Sequence, residues 1–225
     1  MNEAIVDSLD GVTLVGGGPV GAALLAKARR LAPRLVAADS GADRLLRLGA
    51  EPEAVIGDMD SISPSARARL EGRVFPVAEQ DTTDFDKALR LISAPFVLGL
   101  GFSGARVDHG LAVLNTLVRH PDRRCFILGS QDVTFLCPPQ LSLRLPRRTR
   151  LSLFPMGPVT GRSRGLRWPI DGIDFAPDGM IGTSNEVSGP VELQMDAARM
   201  LVILPIRYLP EALRGCGLLS AVRGG

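Results

Sequence analysis

Residues 14–24 read Leu14-Val15-Gly16-Gly17-Gly18-Pro19-Val20-Gly21-Ala22-Ala23-Leu24: an apolar run, three glycines, and a fourth glycine ahead of a helical stretch. Gly16, Gly18 and Gly21 fit G-x-G-x-x-G, and an acid, Asp39, follows about twenty residues on, as the dinucleotide-binding fingerprint expects. The stretch therefore poses two alternatives. Either an NAD or FAD enzyme begins here, or the glycines serve another phosphate ligand.

Working outward, short β-type runs alternate with helical ones through the first 140 or so residues. Strands are expected over 12–15, 35–38, 54–56, 74–77, 96–100 and 125–128, and helices over 20–31, 42–48, 65–70, 84–92 and 111–118. This alternation predicts an α/β fold, an open, mostly parallel sheet with helices on both faces. After Pro138-Pro139 the pattern changes. Leu141, Leu143 and Leu145, then Val191, Leu193 and Met195, alternate with polar residues amid frequent Gly and Pro. Such period-two patterning predicts a smaller antiparallel β-sandwich. The expected domains are residues 1–139 and 140–225. Arg144, Arg147, Arg148 and Arg150 read as a solvated strand edge or turn in preference to a polyanion site, and Trp168, the only tryptophan, as a core residue of the sandwich in preference to a ring that stacks on a ligand.

The bulk properties exclude several classes. With 225 residues, 45% hydrophobic, the chain can bury a real core. A formal net charge of +2 gives no reason to expect nucleic acid. Cys125, Cys137 and Cys216 lie far apart without a C-x-x-C pair, so neither a disulfide framework nor a zinc site is expected. Glu3, Asp7 and Asp10 stand where a secretory leader would need basic and then apolar residues. The apolar run 200–204 is too short to span a bilayer. No membrane association and a cytoplasmic location are expected.

The loops after the strands carry the chemistry. The first four strands run into Gly16-Gly17-Gly18, Asp39-Ser40-Gly41, Gly57-Asp58-Met59-Asp60-Ser61 and Asp81-Thr82-Thr83-Asp84. The fifth runs into Gly101, followed by Ser103-Gly104-Ala105-Arg106-Val107-Asp108-His109. In an open parallel sheet the C-terminal strand ends share one edge, where ligands bind. Some of these residues also suit helix caps: Ser63 before Pro64, and Thr83 with Asp86. A helix does not need two caps, however, and Asp58 and Asp60 sit two apart before theirs. Converging carboxylates repel one another unless a cation neutralises them. An all-oxygen set suits a hard ion, Mg²⁺ first and Mn²⁺ or Ca²⁺ after it. Glycine loops supply backbone N–H donors for phosphate. The combination reads as metal-dependent transfer of a phosphate-type group, with Lys87 and Arg106 placed to offset phosphate charge. No G-x-x-x-x-G-K-[ST] is present. A dinucleotide enzyme has no use for Asp58 with Asp60 or for Asp81 with Asp84.

At these residues the sequence resembles the thiamine pyrophosphokinase (thiamin diphosphokinase) family, whose pattern runs A-D-G-G-A-N, G-D-x-D-S, D-x-T-D, G-x-R-x-D-H and S-N-E. Here the corresponding runs are 38–43, 57–61, 81–84, 104–109 and Ser184-Asn185-Glu186, in order over residues 14–204. Ser40 stands for a glycine of the pattern and Asp43 for its asparagine. The resemblance implies transfer of the pyrophosphoryl group of ATP to the hydroxyl of thiamine, giving AMP and thiamine diphosphate, with Mg²⁺. It also implies a nucleotide-binding catalytic domain, a thiamine-binding and dimerisation domain, and a homodimer with thiamine pockets between subunits. The roles it suggests are Asp58, Asp60 and Asp84 on the metal, with Gly17, Gly18, Asp39, Ser40, Asp81, Thr83, Lys87 and Arg106 on the nucleotide. Asp108, His109, Ser184 and Asn185 would bind thiamine. Asp108, Asp84 and Asp60 are the catalytic candidates, with Asp108 orienting or deprotonating the hydroxyl and His109 second for that task. The alternatives are an NAD- or FAD-dependent oxidoreductase, a nucleotide sensor, and a pyrophosphokinase for another hydroxymethyl heterocycle such as a pterin.

Overall fold

A computed structural model describes residues 4–104 and 106–220. The chain divides into two compact units after Gly129, ahead of the composition change at Pro138-Pro139.

The first unit contains strands β1 (Val6–Asp7), β2 (Val12–Val15), β3 (Arg34–Ala38), β4 (Ala54–Gly57), β5 (Val74–Pro76), β6 (Ile92–Ser93), β7 (Val97–Leu100) and β8 (Cys125–Leu128). Its helices are α1 (Ala22–Leu31), α2 (Gly41–Arg47), α3 (Pro64–Arg69), α4 (Asp84–Arg90) and α5 (Val107–Arg119). Six strands form one parallel sheet in the order β8-β7-β2-β3-β4-β5. The short β1 and β6 pair separately. Strands β2, β4, β7 and β8 are buried along their whole length, as a sheet covered on both faces requires. Side chains such as Leu14, Ile56, Leu98 and Leu100 are fully buried, each worth about 1.5–3 kcal/mol relative to exposure.

Starting at β2, the chain adds β3, β4 and β5 on one side. It then crosses back to lay β7 against the other edge of β2. The strand order therefore reverses between β2 and β7, the position where open α/β sheets form a crevice. Local chemistry starts the helices there. Ser63 Oγ accepts from Ala66 N–H at 3.1 Å with Pro64 at the first helical position of α3, and Thr83 Oγ1 accepts from Asp86 N–H at 3.3 Å at the head of α4.

The second unit is antiparallel, with β9 (Asp132–Leu136), β10 (Gln140–Leu143), β11 (Arg150–Pro155), β12 (Gly161–Leu166), β13 (Gly182–Met195), β14 (Met200–Pro205) and a closing helix α6 (Leu209–Gly215). The long β13 serves two sheets. Its beginning pairs with β11, which continues to β14 and β9. Its end lies between β10 and β12. Leu141, Leu143, Val191, Leu193 and Met195 point into the core, as their alternation predicts. Trp168 does not. It is 51% exposed, with the Arg167 guanidinium 4.7 Å above its ring, so the expectation of a core tryptophan is corrected. It sits just past the end of β12, where the backbone leaves the sheet. Among the described residues, no helix is long and apolar enough to cross a membrane.

Candidate active site at the strand ends

The loops after β2, β3, β4, β5 and β7 meet around one cavity of about 370 Å³. Gly16–Gly18 form one wall, and Asp39, Ser40, Asp58, Ser61 and Thr82–Phe85 another. Phe102, Arg106 and His109 complete it.

The glycines answer the question posed by residues 14–24. Gly16 N–H donates to Leu100 O at 2.8 Å and Gly18 N–H to Gly101 O at 3.0 Å, so the loop lies directly on the end of β7. A Cβ at Gly18 would meet Gly101 O at 2.5 Å, and one at Gly17 would meet Ser40 Oγ at 2.3 Å. Gly18 allows backbone to approach backbone across the strand-order reversal, and Gly17 leaves room for the Ser40 side chain. A Cβ at Gly21 would meet nothing within 4 Å. In a dinucleotide fold the third glycine exists for close packing of helix on strand, and here that need is absent. The oxidoreductase alternative loses its structural basis.

The acids follow from two strained turns. Asp39 has φ +42° and Met59, between Asp58 and Asp60, has φ +66°, a region costly for residues other than glycine and found disproportionately at functional sites. One carboxylate oxygen from each of Asp39, Asp58 and Asp60 lies within 4.8 Å of the other two. Asp39 is buried. Its Oδ2 accepts from Ser61 N–H at 3.1 Å, while Oδ1 has no hydrogen-bond partner among the described residues. Burial, and after it the charge of Asp84, push its carboxyl up to about 6. A buried carboxylate with one unpartnered oxygen, close to two further carboxylates, suits a hard divalent cation by donor type and charge.

Asp84 stands beside this trio. Its Oδ1 accepts from Asp58 N–H at 3.2 Å and from Lys87 Nζ at 3.2 Å, and the same Nζ is 2.9 Å from Asp58 Oδ2. Lys87 is fully buried and sits behind the acids, outside the cavity lining. Burial alone would lower its pKa, but the hydrogen bond to Asp58 and the charge of Asp84 hold it above the ordinary lysine value. The Lys87 hydrogen bond likewise keeps Asp58 below the usual carboxylate range.

The remaining expected residues divide. Arg106 and His109 line the cavity, whereas Asp108 is exposed and pairs bidentately with Arg106, its Oδ1 3.1 Å from Nε. The Arg106 hydrogen bonds hold its carboxyl below the usual range. Asp81 is exposed on the bend before Thr82. Ala105 lies outside the described residues. Ser184 and Asn185 belong to the second unit. Ser184 has φ +61° and its N–H donates to Ser152 Oγ at 3.0 Å. Asn185 is buried. Its Oδ1 accepts from Trp168 N–H and Glu186 N–H, and its Nδ2 donates to Trp168 O at 2.7 Å.

Sequence reasoning did not find Ser61, Phe85 or Phe102. The two phenylalanine rings pack 4.6 Å apart at 57° and form the apolar part of the cavity. A glycine at position 16, whose Cβ would strike Phe102 at 2.5 Å, was the available signal. Asp43, the departure from the family pattern, has a local explanation: its carboxylate accepts from Ser63 N–H at 2.9 Å and from the Ser63 hydroxyl, tying α2 to the head of α3.

Two family sequence models match the chain. "Thiamin pyrophosphokinase, catalytic domain" covers residues 25–127, and "Thiamin pyrophosphokinase, vitamin B1 binding domain" covers residues 141–200. Thiamine pyrophosphokinase 1 of Oryza sativa subsp. japonica is 29% identical over 187 residues, 68% of this chain and 71% of its own. Thiamine pyrophosphokinase 1 of Arabidopsis thaliana is 31% identical over 160 residues, 61% of this chain and 59% of its own. The solved structure of thiamin pyrophosphokinase from Candida albicans has the same fold, with a TM-score of 0.75 at 16% identity, covering 91% of this chain and 97% of that one.

Proposed function

The chain belongs to the thiamin pyrophosphokinase family, and from that premise we propose how its strand-end cavity performs the reaction. The activity is transfer of the pyrophosphoryl group of ATP to the thiamine hydroxyl, giving AMP and thiamine diphosphate. The observation that carries the mechanism is the Asp39–Asp58–Asp60 convergence, with Asp39 and Asp58 lining one cavity with the glycine loop and Asp60 exposed beside them.

In this reading Asp58 and Asp60, with Asp39 or Asp84, hold Mg²⁺. When bound, the ion would neutralise phosphate charge and draw electron density from the phosphoryl oxygens. The backbone of the exposed Gly17 and the Arg106 guanidinium orient the triphosphate, while Gly18, its N–H given to Gly101 O, holds the loop against β7. Ser40, Thr83 and Asp81 shape its approach. The thiamine hydroxyl oxygen forms a bond to the β-phosphorus as the bond from that phosphorus to the α,β-bridging oxygen breaks, and AMP departs with the bridging oxygen. The hydroxyl proton must leave as this happens. Asp108, kept ionised by Arg106, is a weak base suited to orienting the hydroxyl, while His109 on the cavity wall is placed to take the proton. Positioning and charge neutralisation supply most of the rate, as in other phosphoryl transfers. Lys87 acts from behind, fixing Asp58 and Asp84 rather than touching phosphate.

Ser184, Asn185 and Trp168 offer the thiamine-facing surface of the second unit. Trp168 has its ring exposed for stacking, and Asn185 fixes the backbone beneath it. The homodimer with thiamine pockets between subunits, and a cytoplasmic location, belong to the same reading. The test is direct. AMP release from ATP should require both thiamine and Mg²⁺ and should match thiamine diphosphate formed mole for mole. ATP consumption that is indifferent to thiamine, or faster with a hydroxymethylpterin, would overturn it.

A further inference from the structure

Asp86 lies outside the cavity and in none of the roles above, yet it is among the most constrained charges in the first unit. Its side chain is 1% exposed. Oδ1 accepts from Arg90 Nε at 2.8 Å. Oδ2 accepts from Arg119 Nη1 at 3.1 Å and faces His120 Nε2 at 3.1 Å. Arg90 carries the network onward: its Nη2 donates to Glu79 Oε2 at 2.8 Å, and Glu79 Oε1 accepts from the Thr82 hydroxyl at 2.7 Å. Thr82 and Thr83 line the cavity, and the Asp86 backbone N–H donates to Thr83 Oγ1. One buried carboxylate thus joins three segments: the 79–83 loop, helix α4 with Asp84 and Lys87, and the C-terminal end of α5, whose N-terminal end presents Arg106 and His109.

A buried ion pair is a poor device for stability, because desolvation offsets most of its Coulomb gain. Its better-attested use is to fix one arrangement among several of similar energy. Helix α4 is seven residues long, and Phe85, Lys87, Ala88 and Leu89 are buried around Asp86; apolar burial is non-directional, whereas the ion pairs of Asp86 fix one rotation, and a small rotation would move Asp84 and Lys87 relative to Asp58. We infer that Asp86 is a positioning residue for the nucleotide site, acting through Arg90 and Glu79 on the Thr82–Thr83 wall and through Arg119 and His120 on the register of α4 against α5. The inference rests on the proposed reading of the cavity as the Mg-ATP site.

The test measures binding apart from turnover. Asp86→Asn retains an acceptor and the side-chain shape while removing the charge that holds Arg90. The Kd of a non-hydrolysable ATP analogue with Mg²⁺, measured by calorimetry, should rise about tenfold, a loss of about 1.4 kcal/mol. The KM for ATP should rise in parallel, with the KM for thiamine unchanged and kcat within about twofold. Glu79→Gln should reproduce the nucleotide effect, and the double variant should add little to either single one, because residues in one network are non-additive. A fall in Tm with unaltered analogue Kd marks a merely structural residue and overturns the inference; so do fully additive effects. If Asp86→Asn does not fold, Glu79→Gln and Arg90→Lys report on the same relay from partly exposed positions: weaker analogue binding supports it, wild-type binding overturns it. A wild-type protein that binds the analogue but forms no thiamine diphosphate refutes the function while leaving this test intact.

Discussion

Replacing Asp39 by asparagine isolates the electrostatic tension of the candidate metal site. In the metal-free protein this carboxyl is raised from an ordinary value of 3.8 to about 6, first by burial and then by the Asp84 charge, with smaller pushes from Asp60 and Asp58 outweighing the stabilising Ser61 N–H. That displacement corresponds to about 3 kcal/mol. The fold keeps this proton at pH values where the unfolded chain has released it. The stability it confers is therefore full below pH 4 and is lost as pH rises through about 6. Asparagine cannot ionise, still accepts from Ser61 N–H, and offers its amide hydrogens to the surrounding carboxylates. In EDTA the two proteins should melt alike near pH 4 and diverge through pH 6. At pH 8 Asp39→Asn should be more stable by up to about 3 kcal/mol, or about 6–12 °C in Tm for a chain of this size. Adding Mg²⁺ should raise the Tm of the wild type more than that of the variant, closing the gap. Scanning calorimetry across pH with and without the ion is the assay. A difference independent of pH, or a variant less stable at pH 8 without metal, would refute the reasoning.

The same geometry has other consequences. Asp60→Asn should stay folded, since Asp60 is exposed, but lose orders of magnitude in Mg-dependent kcat/KM, a cost of several kcal/mol; a twofold change in the KM for ATP alone would contradict its place on the metal. Lys87→Met leaves Asp58 and Asp84 facing one another without their shared ammonium, and should cost about 3 kcal/mol in urea unfolding, with solvent access to both acids limiting the loss. Gly18→Ala forces a Cβ to within 2.5 Å of Gly101 O. It should displace the glycine loop and raise the KM for ATP about tenfold with kcat for bound substrate less affected, which steady-state kinetics would separate.

Much of this was legible in the chain. The strands over 12–15 and 125–128 coincide with β2 and β8, and every expected helix of the first domain is present, because apolar runs and helical periodicity are local signals. The segment expected as helix over 84–92 stops at Arg90, and Ile92–Ser93 pairs with Val6–Asp7 instead. That pairing is non-local, and nothing in either dipeptide announces its partner. Asp132–Leu136 is not among the expected strands, although Val133, Thr134 and Phe135 are strand-forming residues and its burial alternates; it pairs antiparallel with β14. Convergence of the glycine loop and the acids was foreseeable from parallel topology, since strands in register deliver their following loops to one edge.

Residue type and order along the chain were enough to determine a parallel sheet, a gathering of acids and a glycine loop at its strand ends, and a second antiparallel unit, since each depends on periodicity or on loops following strands. Only the tertiary structure decided which carboxylates share a centre, that Lys87 lies behind them, that Asp108 is turned to Arg106, and that Asp86 ties two helices together. Those outcomes depend on where side chains from segments tens of residues apart point once packed, and on how much water is excluded between them. Neither quantity has a local signature in sequence.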